Sequence, residues 1–256
     1  MTVDLPPAFL ARPITHRAYH DLHKGRPENS RAAIRAAIEA GYGIEIDVQL
    51  TADGQAMVFH DYDLARLTGA RGVIRQKTLG EAAEIALLGG DGEGIPSLAE
   101  VLDIVAGRVP LLIEIKDQDG AMGPNTGPLE QAVARDLAGY AGPVAVMSFN
   151  PHSVSKMALY APTVARGLTT CSFARDEWHL SAERREALRA IPDFDKVGAS
   201  FLSHRAADLV RPRVQMLRQS GVPVLCWTIR SEAAEAEARR LCDNVTFEGY
   251  PAQNGT

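Results

Sequence analysis

Glu45 and Asp47 stand two residues apart in GYGIEIDVQLTADGQAMVFHD, residues 41–61. Side chains alternate along a strand, so both carboxylates point to one face of what reads as a buried strand. A third carboxylate, Glu114, sits near the end of LLIEIK, which finishes in Lys116. Three acidic groups in one partly buried site repel one another and lose hydration unless a cation neutralises them. All-oxygen ligation without cysteine suits a hard divalent ion, Mg2+ or Ca2+, while nearby histidines keep zinc or manganese conceivable.

His16 and His60, also at the ends of apolar runs, carry groups that exchange protons near neutral pH. Cleavage of a phosphate ester needs that chemistry twice, to activate water and to protonate the leaving alkoxide. Arg17 supplies a planar fork for two phosphate oxygens, and Lys116 a point charge. Any one of these residues is more ordinarily a satisfied histidine or a surface ion pair. Their recurrence at strand ends is what favours a site. Asn29 and Ser30 compete as N-cap of the helix starting at Arg31, and Glu28 beside them is a candidate support for the metal or His16. Trp227, at a strand end, reads as pocket lining, and Trp178 as structural.

Such a set needs a scaffold that brings many strand ends together. Short apolar runs at 13–17, 43–50, 56–60, 111–116, 144–148, 164–168, 197–200, 222–227 and 244–247 read as strands. Between them, 29–40, 97–105, 127–137, 151–159, 182–190, 212–219 and 232–241 read as helices. This alternation is expected to form a parallel α/β fold, a (β/α)8 TIM barrel, with active-site groups at the C-terminal strand ends. The chain reads as one domain over 1–256, with a small glycine-rich insertion at about 61–95 lying over the site. No glycine-rich dinucleotide or nucleotide-triphosphate signature occurs. If Asp53-Gly54 is a two-residue hairpin loop, Ala52 pairs with Gln55 and Asp47 lies opposite His60.

Bulk composition narrows the partners. The formal charge is 27 minus 32, or −5, with no long basic run, so a nucleic-acid binder is not indicated and small molecules are. The N-terminus lacks a secretory pattern, and no stretch approaches the ~18 uninterrupted apolar residues of a membrane span. Cys171, Cys226 and Cys242 are scattered and odd in number, which fits buried thiols in a reducing cytoplasm. A soluble cytoplasmic protein without integral membrane association is expected.

In its ordered motifs the chain resembles the glycerophosphodiester phosphodiesterase family. The resemblance runs through His16-Arg17, Pro27-Glu28-Asn29, the ExDVQLTxDG pattern from Glu45, His60-Asp61, LxRLTG from Leu64, IPSLAEVL from Ile95 and EIK from Glu114. It continues weakly through MSFNP and LCWT. It implies a metal-dependent TIM barrel that hydrolyses glycerophosphodiesters to glycerol 3-phosphate and an alcohol. By position it implies Glu45, Asp47 and Glu114 as metal ligands, His16 and His60 as the acid-base pair, and Arg17 and Lys116 as phosphate contacts. Three departures bear on the alcohol more than on the reaction. Ala18 stands where the family usually has glycine, His20 and His23 lie in a longer connection to Pro27, and TFEGYP replaces a closing Thr-Asp pattern.

Competing readings are a phospholipase D-like activity on lysolipids in the same fold, a Schiff-base aldolase using Lys116, and a non-catalytic phosphodiester-binding barrel. Three converging carboxylates have no evident task in amine catalysis. A barrel that had lost catalysis is expected to lack a histidine or carboxylate of the set, and this chain has them all.

Overall fold

A computed structural model describes residues 2–253. Its strands are β1 (Ile14–Thr15), β2 (Gly43–Leu50), β3 (Ala56–Val58), β4 (Leu111–Ile115), β5 (Val144–Ser148), β6 (Ala165–Thr170), β7 (Phe201–Arg205), β8 (Val224–Ile229) and β9 (Asn244–Phe247). All but β3 are parallel neighbours, and β1 pairs with both β2 and β9, so the sheet closes into the expected (β/α)8 barrel. Helices such as Arg31–Ala40, Leu98–Val105, Pro128–Asp136 and Pro151–Tyr160 connect the strands.

β2 shows how the sequence builds both layers. All eight of its residues are buried, as a parallel strand covered on both faces requires. Ile44, Ile46, Val48 and Leu50 pack outward in one cluster with Ala33, Ile34 and Ala37 of Arg31–Ala40 and with Leu98, Val101 and Val105. Alternation therefore turns Glu45, Asp47 and Gln49 the other way, into the barrel. The base of the barrel is apolar, filled by Phe9, Ile14, Leu112, Ala145, Phe201 and Leu225. Phe9 and Phe201 are fully buried, each worth ~1.5–3 kcal/mol on the usual area scale. Gly167 makes that packing possible, because a Cβ there would meet the Phe201 ring at 2.4 Å.

Three sequence expectations are corrected. First, the strand expected at 197–200 lies later, at Phe201–Arg205. Its polar Ser203, His204 and Arg205 hide the apolar run that marks other strands, and 193–199 is instead held in turns (Val197 N to Asp193 O 3.0 Å, Ala199 N to Phe194 O 3.1 Å). Second, the β2–β3 hairpin has a three-residue loop. Leu50 pairs with Ala56, and Thr51 N donates to Gln55 O at 3.0 Å. The loop turns at Gly54 (φ +75°), while Asp53 is held by Thr51 Oγ1 at 2.6 Å and Leu79 N at 3.0 Å. The register slips by one residue, so Asp47 lies opposite Phe59 rather than His60 (Phe59 N to Asp47 O, 2.9 Å). Third, β3 ends at Val58 instead of running to His60.

Residues 61–95 carry short helices at Ala65–Thr68 and Leu79–Ala83. Leu64, Leu67, Ile74, Ala82, Leu87 and Ile95 of this segment share a small apolar cluster with Met57 and Phe59. The segment is thus anchored to the hairpin by its own core.

Candidate active site

Parallel register creates the acidic cluster. Asp47 is the ladder partner of Glu114, and Glu45 lies two residues back on the same face. One oxygen from each of the three buried carboxylates lies within 4.8 Å of the others. Burial pushes the Glu45 carboxyl well above its usual value, and the charges of Asp47 and Glu114 push it the same way. Burial would raise Asp47 too, but the positive charges of His60, Lys116 and Arg17 outweigh it and hold Asp47 low. Lys116 Nζ lies 2.9 Å from Glu114 Oε1 and 3.4 Å from Asp47 Oδ1. Burial disfavours its charge, yet these two anions prevail and raise its pKa. Among the described residues Glu45 has no side-chain cation this close; its Oε2 accepts from Arg17 N at 2.8 Å. The donor set fits a hard divalent ion: three convergent oxygens, one of them poorly compensated without added positive charge.

The backbone leaves strand geometry just after β1. Arg17 (φ +53°) and Ala18 (φ +65°) both adopt left-handed conformations, a state that favours glycine. This turn lets His16 and Arg17, adjacent in sequence, line the same cleft. Arg17 Nη1 donates to Glu28 Oε1 at 2.8 Å, and Arg17 Nε, 3.7 Å from Asp47 Oδ2, is buried without a hydrogen-bond partner. Ser30 caps Arg31–Ala40 through its bond from Ala33 N (3.0 Å). That leaves Asn29 (φ +59°) free of the capping task, and its Nδ2 donates to Asp47 Oδ2 at 3.0 Å.

Each histidine is paired with a carboxylate. His16 Nδ1 is 2.5 Å from Glu248 Oε2, and Arg230 Nε donates to Glu248 Oε1 at 2.7 Å. Burial lowers the His16 pKa, and the bond to Glu248 only partly offsets it. His60 Nδ1 is 2.7 Å from Asp61 Oδ1. Gln49 Nε2 donates to the His60 carbonyl at 3.0 Å and also to that of Asp61. This bends the chain so that His60 reaches the cleft despite the slipped register.

The cleft, about 170 Å3, is lined on its charged side by His16, Arg17, Glu45, Asp47, His60, Glu114 and Lys116. Met147, Phe149, Trp227, Thr228, Arg230 and Thr246 complete the lining. Trp227 is fixed by Nε1 donating to Ser203 O (3.2 Å) and meets Phe149 edge-on, with ring centroids 5.5 Å apart. Trp178 packs behind Phe149 at 4.9 Å and is not among the lining residues. Every residue singled out in the sequence as catalytic, phosphate-binding or metal-binding thus faces one cleft. Glu28 and Asn29 touch it through Arg17 and Asp47. Sequence reasoning missed Glu248, Arg230 and Arg66. Glu248 directly follows β9, so the strand-end rule applied to TFEGYP points to it.

Fold and cleft together define the class, a (β/α)8-barrel enzyme with its site at the C-terminal mouth. The model of the glycerophosphoryl diester phosphodiesterase family matches residues 16–245. The chain therefore belongs to that family and is a phosphodiesterase by class. It is 29% identical to a glycerophosphodiester phosphodiesterase of Caldanaerobacter subterraneus subsp. tengcongensis, over 87% of this chain and 88% of that one. It is 28% identical to a glycerophosphodiester phosphodiesterase of Bacillus subtilis, covering 81% of this chain and 73% of the relative. Among solved structures, an Oleispira antarctica phosphodiesterase in complex with the product sn-glycerol-3-phosphate has the same fold. The TM-score is 0.76 at 24% identity, covering 95% of this chain and 96% of that one.

Proposed function

We propose that this enzyme hydrolyses glycerophosphodiesters to glycerol 3-phosphate and an alcohol, using a divalent cation, Mg2+ or Ca2+, held by Glu45, Asp47 and Glu114. The carrying observation is the convergence of three buried carboxylates, two carboxylate-paired histidines and two basic groups on one cleft. When bound, a divalent cation supplies positive charge to a phosphoryl group gaining negative charge. Arg17, with unused N–H donors, and Lys116 bind the phosphate oxygens. His16 and His60 each commit Nδ1 to a carboxylate, which leaves Nε2 as the atom that takes or gives the proton. Met147, Phe149 and Trp227 line the same cleft and exclude water from their part of it.

Schiff-base chemistry at Lys116 is disfavoured, because the amine is held protonated by Glu114 and Asp47, the reverse of what a nucleophilic lysine needs. The buried thiols Cys171, Cys226 and Cys242 are free, and no helix among the described residues is long and apolar enough to cross a membrane. The free thiols fit a cytoplasmic enzyme. The test is a metal-reconstituted screen of glycerophosphocholine, glycerophosphoethanolamine, glycerophosphoglycerol, glycerophosphoinositol and lysolipids, with products identified. Glycerol 3-phosphate release that EDTA abolishes, and that Glu45→Gln needs more metal to recover, is expected. Full turnover in EDTA would rule out the metal, and lysolipid cleavage without glycerophosphodiester cleavage would move the substrate class.

A further inference from the structure

Arg66 lies outside the cleft, on the short helix Ala65–Thr68 of the segment that follows β3. Its guanidinium nevertheless contacts two carboxylates at once, each through a two-pronged pair. Nη1 and Nη2 donate to Glu28 Oε2 and Oε1, both at 2.8 Å. Nε and Nη2 donate to Asp61 Oδ2 and Oδ1 at 2.6 and 2.7 Å. Each carboxylate then reaches one cleft residue: Glu28 accepts from Arg17 Nη1, and Asp61 pairs with His60 Nδ1.

The geometry points to Arg66 as a positioning residue that fixes the phosphate-binding Arg17 and the proton-exchanging His60 relative to each other. This rests on the reading above for the roles of those two residues. The physical reason is the shape of guanidinium, a rigid plane with five N–H donors whose edges match carboxylates. One such plane ties the loop of Glu28 to the turn of Asp61, segments far apart in sequence and joined by no backbone ladder. Removing it leaves two carboxylates facing each other without their common counter-charge, and both then swing or recruit water. A lysine cannot replace it, because a point charge cannot hold two planar pairs at once.

Magnitudes separate this role from a merely structural one. The Arg66 side chain is 49% exposed, and half-exposed ion pairs contribute little to stability. Misplacing reacting groups, by contrast, is costly in rate. Arg66→Lys and Arg66→Gln should therefore melt close to wild type. Each should lose ~10- to 10²-fold in kcat/KM on a glycerophosphodiester, with KM raised through Arg17 and kcat lowered through His60. In a Glu28→Ala/Asp61→Ala background, where the link is already cut, adding Arg66→Gln should change kcat/KM by less than about twofold. Arg71→Ala, an exposed arginine of the same segment, should leave activity unchanged.

Two readouts need no turnover. Arg66→Gln should weaken binding of inorganic phosphate and move the His60 ring resonances in NMR spectra, while Arg71→Ala does neither. If wild type proves inactive on every glycerophosphodiester, the substrate reading fails while these two measurements still decide the role of Arg66. The proposal is overturned if both Arg66 variants match wild type within about twofold in kcat/KM and phosphate affinity, or if the Arg66→Gln loss persists undiminished in the double-variant background.

Discussion

His60 takes its carboxylate from the next residue in the chain, whereas His16 takes one from 232 positions away. The two pairs look alike at short range, each an Nδ1 against one carboxylate oxygen with an arginine behind it, Arg66 in one case and Arg230 in the other. They are held by different means. His16 N donates to Phe247 O at 2.8 Å, so closure of β9 onto β1 fixes the histidine and delivers Glu248 together. His60 and Asp61 lie past the end of β3, where the ladder has stopped, and depend on Gln49 and Arg66 for their placement. A barrel seam and a side-chain clamp thus reach the same local arrangement, and the clamped pair is the one that remote substitutions should disturb.

The largest expected effect tests whether both pairs carry proton transfer. His16→Ala and His60→Ala should each lower kcat by ~10²- to 10⁴-fold with smaller changes in KM. Steady-state kinetics with a nitrophenolate leaving group, which needs no proton, should restore only the variant lacking the acid. An unchanged kcat in both would dissolve the comparison.

Next in size is removal of the carboxylates. Glu248→Gln and Asp61→Asn should each cost roughly 10- to 100-fold in kcat/KM, as for other groups that orient a catalytic histidine. They should differ in pH dependence. The Glu248 anion favours protonated His16, so its loss lowers a pKa already lowered by burial, and the His16 limb of the pH–rate profile moves to lower pH. Asp61→Asn should leave that limb in place. Stability gives a second sign. Burial would raise the Glu248 carboxyl, but the bonds to His16 and His20 and the charge of Arg230 together outweigh this and hold it below its ordinary 4.5. Its contribution is present above that value and lost as pH falls through the folded pKa. Chemical denaturation of Glu248→Gln should accordingly lose less stability on acidification than wild type does.

Smaller again is Arg17→Lys, which keeps the charge and forfeits the fork. It should lower kcat/KM roughly tenfold, the worth of about one charge-assisted hydrogen bond, while metal titration stays near wild type. Wild-type kcat/KM would make Arg17 a structural arginine and leave the phosphate to Lys116 and the metal. The smallest effect concerns the turn that lets His16 and Arg17 share the cleft. Ala18→Gly relieves left-handed strain but loses a buried methyl and adds chain entropy, so unfolding free energy should move by less than ~1 kcal/mol. A larger loss would show that the Ala18 methyl packs more tightly than its backbone strains.

Much of the charged side was legible for a local reason. Glu45 and Asp47 declare a common face by strand alternation, and Glu114, Lys116 and the adjacent His60-Asp61 sit at the ends of recognisable apolar runs. The slipped hairpin register shows the limit of such reasoning, since one extra loop residue, set by Asp53 bonding to Thr51 and Leu79, reassigns every pairing. The apolar signal does not locate β7, because Ser203, His204 and Arg205 interrupt it. Arg66 stands in the LxRLTG motif, but its role is not legible there, because its two carboxylate partners come from different parts of the chain.

The sequence alone determined which groups exist and that Glu45 and Asp47 share one face of their strand, because alternation is a property of the backbone within a few residues. It also determined that the strands run parallel and alternate with helices, because each apolar run is too short and too buried to stand without a crossover. Only the tertiary structure decided that Asp47 stands level with Glu114, that Glu248 meets His16 and that one guanidinium joins Glu28 to Asp61. The first two depend on inter-strand register and barrel closure and the third on how the loops pack over the barrel mouth, all set together by many distant residues.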